Sequence, residues 1–253
     1  MSQNQKPITF YDITTKAKPN PGPSPFTAKV RCALNFKGIK FTTVWLEYPE
    51  IEAECKRIGA PPTGKRLDGS LLYTLPVIQD PSTGVVMSES NDILEYLDKT
   101  YLDTPKLFPG NTLGIQLAFD AAAQSRLLDI LPLVIAYIPA SLNPVAEAHW
   151  RSTREGQLGK RVEELEPKGE ARVAALQKIQ ASLGEVDGWI SKSGEGKFIM
   201  GDEMTFVDIS LGAALCGVRV ALGDKGVALW EEISGWHSGR WERLRKACEP
   251  YHK

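Results

Sequence analysis

The sequence has few cysteines, few histidines and almost no net charge, and each shortage excludes a class of protein. Its 253 residues include three histidines, 30 lysines and arginines, and 31 aspartates and glutamates, for a net charge of -1. The balanced charge leaves no field that would gather nucleic acid or an anionic membrane surface. The four cysteines form no Cys-x-x-Cys pair and no Cys/His cluster, which argues against a zinc site and a secreted disulfide framework. They are Cys32, Cys55, Cys216 and Cys248. We predict a cytoplasmic protein without a metal ion.

The chain also lacks a clear export or membrane segment. The first seven residues are polar and have no apolar core of the kind found in signal peptides. The longest apolar stretch, residues 127–142, is interrupted by Asp129, Pro132 and Pro139. We therefore expect no membrane span, and the length is sufficient for two domains.

The first hundred residues alternate between strand and helix patterns. β-Branched and aromatic residues predict strands, whereas apolar residues at spacings of three and four predict helices. The expected order is β-α-β-α-β-β-α, with elements at residues 8–13, 25–37, 41–48, 49–58, 75–79, 85–87 and 89–101.

A polar stretch with two prolines and a glycine, residues 103–111, is typical of a linker. We predict one domain at residues 1–102 and a second, all-helical domain at residues 112–253. Within the second domain we expect a long helix at residues 112–139, bent at Pro132, a helix at residues 170–190, and another after Thr205.

Ser24 joins the first predicted strand to the first helix, and Pro25 follows it at the favoured first helical position. A thiolate beside Ser24 would receive a hydrogen bond from the hydroxyl and the field of the helix N-terminus, and both favour ionised sulfur. A serine here also commonly caps a helix. The residue alone leaves both interpretations open, and capping is the commoner one.

Two further motifs have both a functional and a structural interpretation. A cis Leu75–Pro76 bond would turn the Leu75 backbone toward an extended peptide, although a proline at a strand entrance can be functionally idle. Glu89 and Ser90 begin a helix, where they could bind the ammonium and carboxylate of an amino-acid head group. The alternative for this pair is an ordinary helix cap.

Other polar residues are assigned to structure. Thr205 and Asp208 have the spacing of a reciprocal helix cap, so loss of Asp208 should weaken folding of the second domain. Cys32 is expected in the core rather than at a reactive site. The histidines lack partners at metal-ligand or triad spacing and are assigned to the surface or to packing; they are His149, His237 and His252.

Taken together, these motifs and their order resemble the glutathione transferase superfamily over nearly the whole chain. The segments SPFTAKVRCALNFKGIKFTTVWLEYPEIE and LYTLPVIQD look like the fungal etherase-like class, FuA, which is similar to bacterial β-aryl-etherases that act on lignin fragments. The resemblance implies a thioredoxin-like N-terminal domain, an all-helical C-terminal domain, glutathione as cosubstrate and a homodimer.

The resemblance also implies residue roles. Ser24 would activate the glutathione thiol, Leu75 would pair with the cysteinyl backbone beside a cis Pro76, and Glu89 with Ser90 would bind the γ-glutamyl end. Phe26 is included among the glutathione contacts.

The sequence departs from the family pattern in two places. The loop Thr14–Pro23 is longer than usual and could fold over the site, and Thr27 or a backbone amide could share the role of Ser24. At Thr74 many relatives carry a basic residue, so another cation must hold the glycyl carboxylate. The candidates are Lys40, Lys65 and Arg66, which the sequence does not rank.

A serine at position 24 cannot form a mixed disulfide, which favours transfer of glutathione to an electrophile over disulfide chemistry. We expect hydrophobic aromatic substrates, with β-aryl ethers among them, to bind beside residues 112–139, where Phe26, Phe119 and Tyr137 supply aromatic surface. Two alternatives stay open: a ligandin that sequesters aromatic or phenolic compounds, and a regulatory module without turnover. The retained Ser24, Glu89 and Ser90 argue against the regulatory module.

Overall fold

The computed structural model describes residues 6–16, 21–66, 68–194 and 196–253. Residues 1–5, in the polar N-terminal segment, and 17–20, in the long loop that could fold over the site, lie outside the described residues. The first half contains β1 (Ile8–Ile13), α1 (Pro25–Phe36), β2 (Phe41–Leu46), α2 (Ile51–Ile58), β3 (Gly64–Lys65), β4 (Leu71–Leu72), β5 (Val77–Asp80), β6 (Val85–Ser88) and α3 (Ser90–Thr100).

The main sheet has the order β2-β1-β5-β6. Strand β1 runs parallel to β2, with Ile8 opposite Phe41. On its other side β1 runs antiparallel to β5, and β5 in turn runs antiparallel to β6. The successive side chains Phe10 and Tyr11 of β1, which point to opposite faces of the sheet, are both buried, as expected for a strand covered on both faces. This arrangement confirms the predicted thioredoxin-like domain. The two-residue strands β3 and β4 were not predicted, because they are too short to show a periodic pattern.

The second half is helical, as predicted. It contains α4 (Leu113–Leu127), α5 (Leu131–Val134), α6 (Pro144–Leu158), α7 (Glu170–Ser191), α8 (Phe206–Leu222) and α9 (Val227–Cys248). The helix expected at residues 112–139 is interrupted. Two 3-10 segments, Leu128–Ile130 and Ile135–Ser141, flank the short α5, in which Pro132 occupies the first turn.

The stretch Leu113–Ser141 is, by length and composition alone, apolar enough to cross a membrane, with a mean hydropathy of 1.4 in its best window. In this fold α4 packs against α7 and α8, and one third of that window is buried. Several large apolar side chains on it remain exposed: Ile115, Leu128 and Leu131. Apolar surface of this kind is typical of a protein contact as well as of a membrane contact.

Helix α8 joins the two halves, because it packs against α1. Its start carries the predicted reciprocal cap, in which the Asp208 carboxylate accepts hydrogen bonds from the backbone amides of Thr205 and Ile199, both at 2.9 Å. Burial raises the pKa of Asp208. Farther along α8, a Cβ on Gly217 would lie 2.7 Å from the Pro23 carbonyl oxygen. Glycine at this position therefore permits α8 to approach the loop that leads into Ser24.

Candidate functional site

A cavity of about 980 Å³ lies between the first half of the chain and α6. The structure brings to its wall all six residues singled out from the sequence as a possible glutathione site. They are Ser24, Phe26, Leu75, Pro76, Glu89 and Ser90. Residues separated by more than 60 positions in the sequence thus share one concave surface.

Ser24 is the N-cap of α1, and its Oγ accepts a hydrogen bond from the Thr27 amide at 3.4 Å. A hydroxyl that accepts in a cap still has its own proton available to donate. Capping and activation of a thiol are therefore compatible roles for Ser24. The alternative partner Thr27 is buried, and its hydroxyl donates to the Ser24 carbonyl oxygen at 3.5 Å rather than facing the cavity.

The Leu75–Pro76 peptide bond is cis, as the resemblance implied. Leu75 is buried and lies immediately before β5. Among the described residues, none forms a backbone hydrogen bond with its amide or carbonyl. Both groups are therefore available to an extended peptide lying along this edge.

Glu89 and Ser90 form the start of α3. Glu89 has φ 69 and ψ 112, a backbone conformation that a non-glycine residue rarely adopts and that is often found at binding sites. No side chain caps this helix, so its first amides are open to an anion. The Ser90 hydroxyl has no hydrogen-bond partner among the described residues, and it lies beside those amides at the cavity wall.

The three candidate cations for a second carboxylate differ in their surroundings. Lys40 does not line the cavity, whereas Lys65 and Arg66 do. Arg66 already donates to the Glu52 carboxylate at 2.7 Å and to the Leu71 carbonyl oxygen at 2.5 Å. Lys65 forms no ion pair within the described part of the chain. Of these three candidates, Lys65 is therefore the one that lines the cavity and is free to bind a ligand.

The opposite wall differs from the one expected from sequence. Phe119 packs edge to face against Trp189, with ring centroids 5.9 Å apart, and the Tyr137 hydroxyl donates to Glu166 at 3.1 Å. Neither side chain lines the cavity. The expectation that Phe119 and Tyr137 supply aromatic surface to this cavity is therefore wrong, whereas Phe26 does line it. The wall is instead formed by Tyr48, Ile138 and one face of α6: His149, Trp150, Thr153, Arg154 and Gln157.

This wall combines aromatic surface with a cation. The rings of Tyr48 and His149 are stacked, with centroids 6.2 Å apart and planes at 16°. Burial raises the pKa of Tyr48 to about 12, so its phenol is neutral at physiological pH. His149, which the sequence placed at the surface or in packing, is thus a cavity residue. Arg154 extends from the next turn of α6 and donates to Gln157 at 2.9 Å.

The four free cysteines are buried, and none lines the cavity. Burial raises the pKa of Cys32 well above its usual value and that of Cys216 to about 11. These thiols are therefore protonated and unreactive, and the expectation that Cys32 is a core residue is confirmed. Within the described ranges, no group of three or more His, Cys, Asp or Glu side chains is suited to holding a metal ion.

Two family models match this chain. One, described as glutathione S-transferase, N-terminal domain, matches residues 23–100. The other, described as glutathione S-transferase, C-terminal domain, matches residues 114–251.

Known proteins from fungi are similar over almost the full length. A glutathione S-transferase-like protein, ustS, of Aspergillus flavus is 28% identical over 255 residues, covering 95% of this chain and 89% of the relative. The crystal structure of glutathione transferase GSTFuA3 from Phanerochaete chrysosporium has a TM-score of 0.90 and 38% identity, covering 98% of both chains. CsGST63524 of Ceriporiopsis subvermispora, in complex with glutathione, has a TM-score of 0.90 and 40% identity, covering 97% of this chain and 98% of that one.

Proposed function

Because this chain belongs to the glutathione transferase family and uses glutathione as its cosubstrate, we propose that Ser24 activates the thiol of the bound tripeptide. The thiolate then attacks an aromatic electrophile. The observation that carries the proposal is the position of Ser24: its hydroxyl lies at the N-terminus of α1 and faces the cavity that Leu75, Glu89 and Ser90 also line.

Each part of glutathione has a chemically suitable group on this wall. The free backbone of Leu75 suits the cysteinyl backbone, and the Glu89 carboxylate suits the γ-glutamyl ammonium. The Ser90 hydroxyl and the open amides of α3 suit the γ-glutamyl carboxylate. Lys65 suits the glycyl carboxylate, and Phe26, which is 58% exposed, provides apolar surface beside the thiol.

The proposed reaction is nucleophilic substitution. The thiol proton leaves to solvent, a carbon–sulfur bond forms, and the bond to the leaving group breaks with its electron pair. With a β-aryl ether the leaving group is a phenolate, which takes up a proton and is released as a phenol. A hydrogen bond from Ser24 and the positive end of α1 both stabilise the thiolate that begins this sequence.

The test of this proposal is a titration with glutathione at several pH values, with ultraviolet absorbance as the measure of thiolate. We expect a thiolate signal at neutral pH in the native protein and its loss in Ser24→Ala. The matched control is Ser24→Thr, which retains both the hydroxyl and the capacity to cap α1. A thiolate signal that persists in Ser24→Ala would show that another group activates the thiol.

A second candidate function is sequestration of hydrophobic aromatic or phenolic compounds, a ligandin role. The volume of the cavity is at the upper end of the range for small-molecule pockets, about 300–1,000 Å³. Its aromatic wall of Tyr48, His149 and Trp150 supports this role. Calorimetric titration with a phenolic aryl ether, followed by mass spectrometry for a glutathione adduct, separates the two: binding without an adduct favours the ligandin.

We also propose that the protein is a cytoplasmic homodimer. Four buried free thiols suit a reducing compartment. A second copy would cover the exposed apolar side chains Ile115, Leu128 and Leu131. Sedimentation velocity tests the dimer, and a single species with the mass of one chain would contradict it.

A further inference from the structure

We propose that the acceptor of this enzyme is an aromatic compound that carries a negative charge, and that Arg154 binds that charge. The inference rests on the proposed function, since it names the class of electrophile that enters the same cavity. It concerns the α6 wall, which is separate from the residues proposed to hold glutathione.

The two arginines on α6 differ in their partners. Arg151 contacts three carboxylates, those of Glu147 at 2.9 Å, Glu155 at 3.7 Å and Glu163 at 2.7 Å. Arg154, three residues later and at the cavity, pairs with no carboxylate in the described part of the chain. A guanidinium left without a counter-ion on a concave surface is well suited to a ligand anion, because its planar donors match a carboxylate.

Carboxylates at the cavity do not neutralise Arg154. Glu52 contacts Lys56 and Arg66, each at 2.7 Å, and Asp68 accepts a hydrogen bond from the Ser70 amide at 2.9 Å. Glu89 is the third, and it is proposed to bind the ammonium of glutathione. With Lys65 assigned to the glycyl carboxylate, the charges of glutathione are balanced on its own wall. Arg154 is then left for the second substrate.

The spacing along α6 suits an aromatic ring joined to an anion. Trp150 and Arg154 are four residues apart, so they are neighbours on one helix face, separated by about 6 Å of helix rise. The stacked Tyr48 and His149 rings lie next to them at the same wall. The charge of Arg154 also acts on Tyr48. Burial raises the pKa of Tyr48, and the positive charge of Arg154 opposes that increase. A flat ring against the aromatic surface can therefore direct a carboxylate or phenolate toward Arg154.

A pair of acceptors that differ only in charge tests the inference. The probes are chlorodinitrobenzoate, with chlorine para to the carboxylate, and the corresponding neutral carboxamide. In each, glutathione thiolate adds to the chlorine-bearing carbon and chloride leaves with the bonding electron pair. We expect the native enzyme to prefer the benzoate. In Arg154→Gln the ratio of kcat/KM for benzoate to that for carboxamide should fall about tenfold, equivalent to roughly 1.4 kcal/mol.

The matched control is Lys160→Gln. Lys160 is exposed and lies just beyond α6, and its loss changes the net charge by the same amount without touching the cavity. We expect this variant to keep the native ratio. A second measurement does not require turnover: calorimetric binding of dinitrobenzoate and dinitrobenzamide to the glutathione-saturated protein should show the same preference, reduced by Arg154→Gln.

The other outcomes are distinguishable. If Arg154→Gln raises the KM for glutathione and slows both acceptors equally, Arg154 binds glutathione and the inference is wrong. If thiolate forms and the carboxamide is conjugated but neither turnover nor binding depends on acceptor charge, the inference fails while the proposed function stands. If no thiolate forms in the native protein, the proposed function itself fails.

Discussion

The close approach of α8 to the loop before Ser24 makes Gly217 a sensitive position for activity. An ideal Cβ on Gly217 would lie 2.7 Å from the Pro23 carbonyl oxygen, whereas ordinary contact begins at 3.4 Å. In Gly217→Ala the new methyl group clashes with the backbone of Pro23, which cannot change rotamer as a flexible side chain could. The loop must withdraw from α8 by about 0.7 Å, and Ser24 must move with it.

The expected effect on activity exceeds the effect on stability. Overpacking costs about 1–3 kcal/mol, but alanine in a helix interior regains about 1 kcal/mol over glycine. Because a displacement of about 1 Å at a reacting group can cost a hundredfold in rate, we expect kcat/KM to fall roughly tenfold in Gly217→Ala. The assay is conjugation of an aryl halide, together with the pH dependence of the thiolate signal. The pKa of the bound thiol should rise toward its free value.

A matched variant separates positioning from general destabilisation. Gly212 also lies on α8, but a Cβ there would overlap the Cys248 Sγ on α9 rather than the loop before Ser24. Gly212→Ala should therefore lower the unfolding temperature without changing the pKa of bound glutathione. If Gly217→Ala loses stability but keeps a native thiolate pKa, or if both variants shift that pKa equally, the argument for positioning is refuted.

Two further predictions concern the carboxylate site and the C-terminal segment. Ser90→Ala should raise the KM for glutathione more than it lowers kcat, because this contact is made equally before and during reaction; unchanged glutathione affinity would remove Ser90 from the site. Burial lowers the pKa of His252 to about 4, assisted by nearby Arg31, whereas an unfolded histidine titrates near ~6.5. Burial of neutral His252 therefore contributes fully to the free energy of unfolding above the pKa of the unfolded histidine. This contribution, on the order of 3 kcal/mol, is lost as the pH falls through the folded pKa of about 4. Between pH 7 and pH 4, the free energy of unfolding measured in urea should fall less in His252→Gln than in the native protein. Equal dependence of this free energy on pH in the two proteins would contradict the assignment.

The parts of the fold with a strong local pattern could be predicted from the sequence. Strand β1 is predicted by its β-branched and aromatic residues, and the start of α1 by the serine and proline at its first positions. Helix α6 was missed because only Ala146 and Trp150 on it are buried, so its apolar period is weak. Helix α9 was missed as well, and its backbone leaves helical geometry at Trp236–Gly239. A break of this kind interrupts the regular spacing that identifies a helix.

The same distinction applies to the site. The residues proposed to hold glutathione stand at junctions between strands and helices, where a cap or a proline marks them locally. Tyr48, His149 and Arg154 come together only through folding of chain segments about a hundred residues apart. The spacing of His149 and Arg154 has meaning only once α6 is known to be a helix. Nothing in that spacing indicates that this face of α6 lines the same cavity as Ser24. Acceptor residues in this fold therefore require a structure to identify them.

The chemistry of a hydroxyl lets Ser24 combine its observed role as a helix cap with the proposed activation of the thiol. As the cap of α1, the Ser24 Oγ accepts a hydrogen bond from the Thr27 amide. The hydroxyl proton of Ser24 is then available to donate to an acceptor that enters the cavity. A thiolate is such an acceptor, and binding it adds a charge-assisted hydrogen bond at the positive end of the same helix without removing the cap. A cysteine at this position would instead be a weaker cap and a competing nucleophile, able to form a disulfide with the cosubstrate that it should activate. In the proposed reaction, serine keeps the sulfur of glutathione as the reacting atom and couples activation to the integrity of α1. Loss of the hydroxyl should therefore reduce both helix stability and thiolate formation, whereas threonine should preserve both.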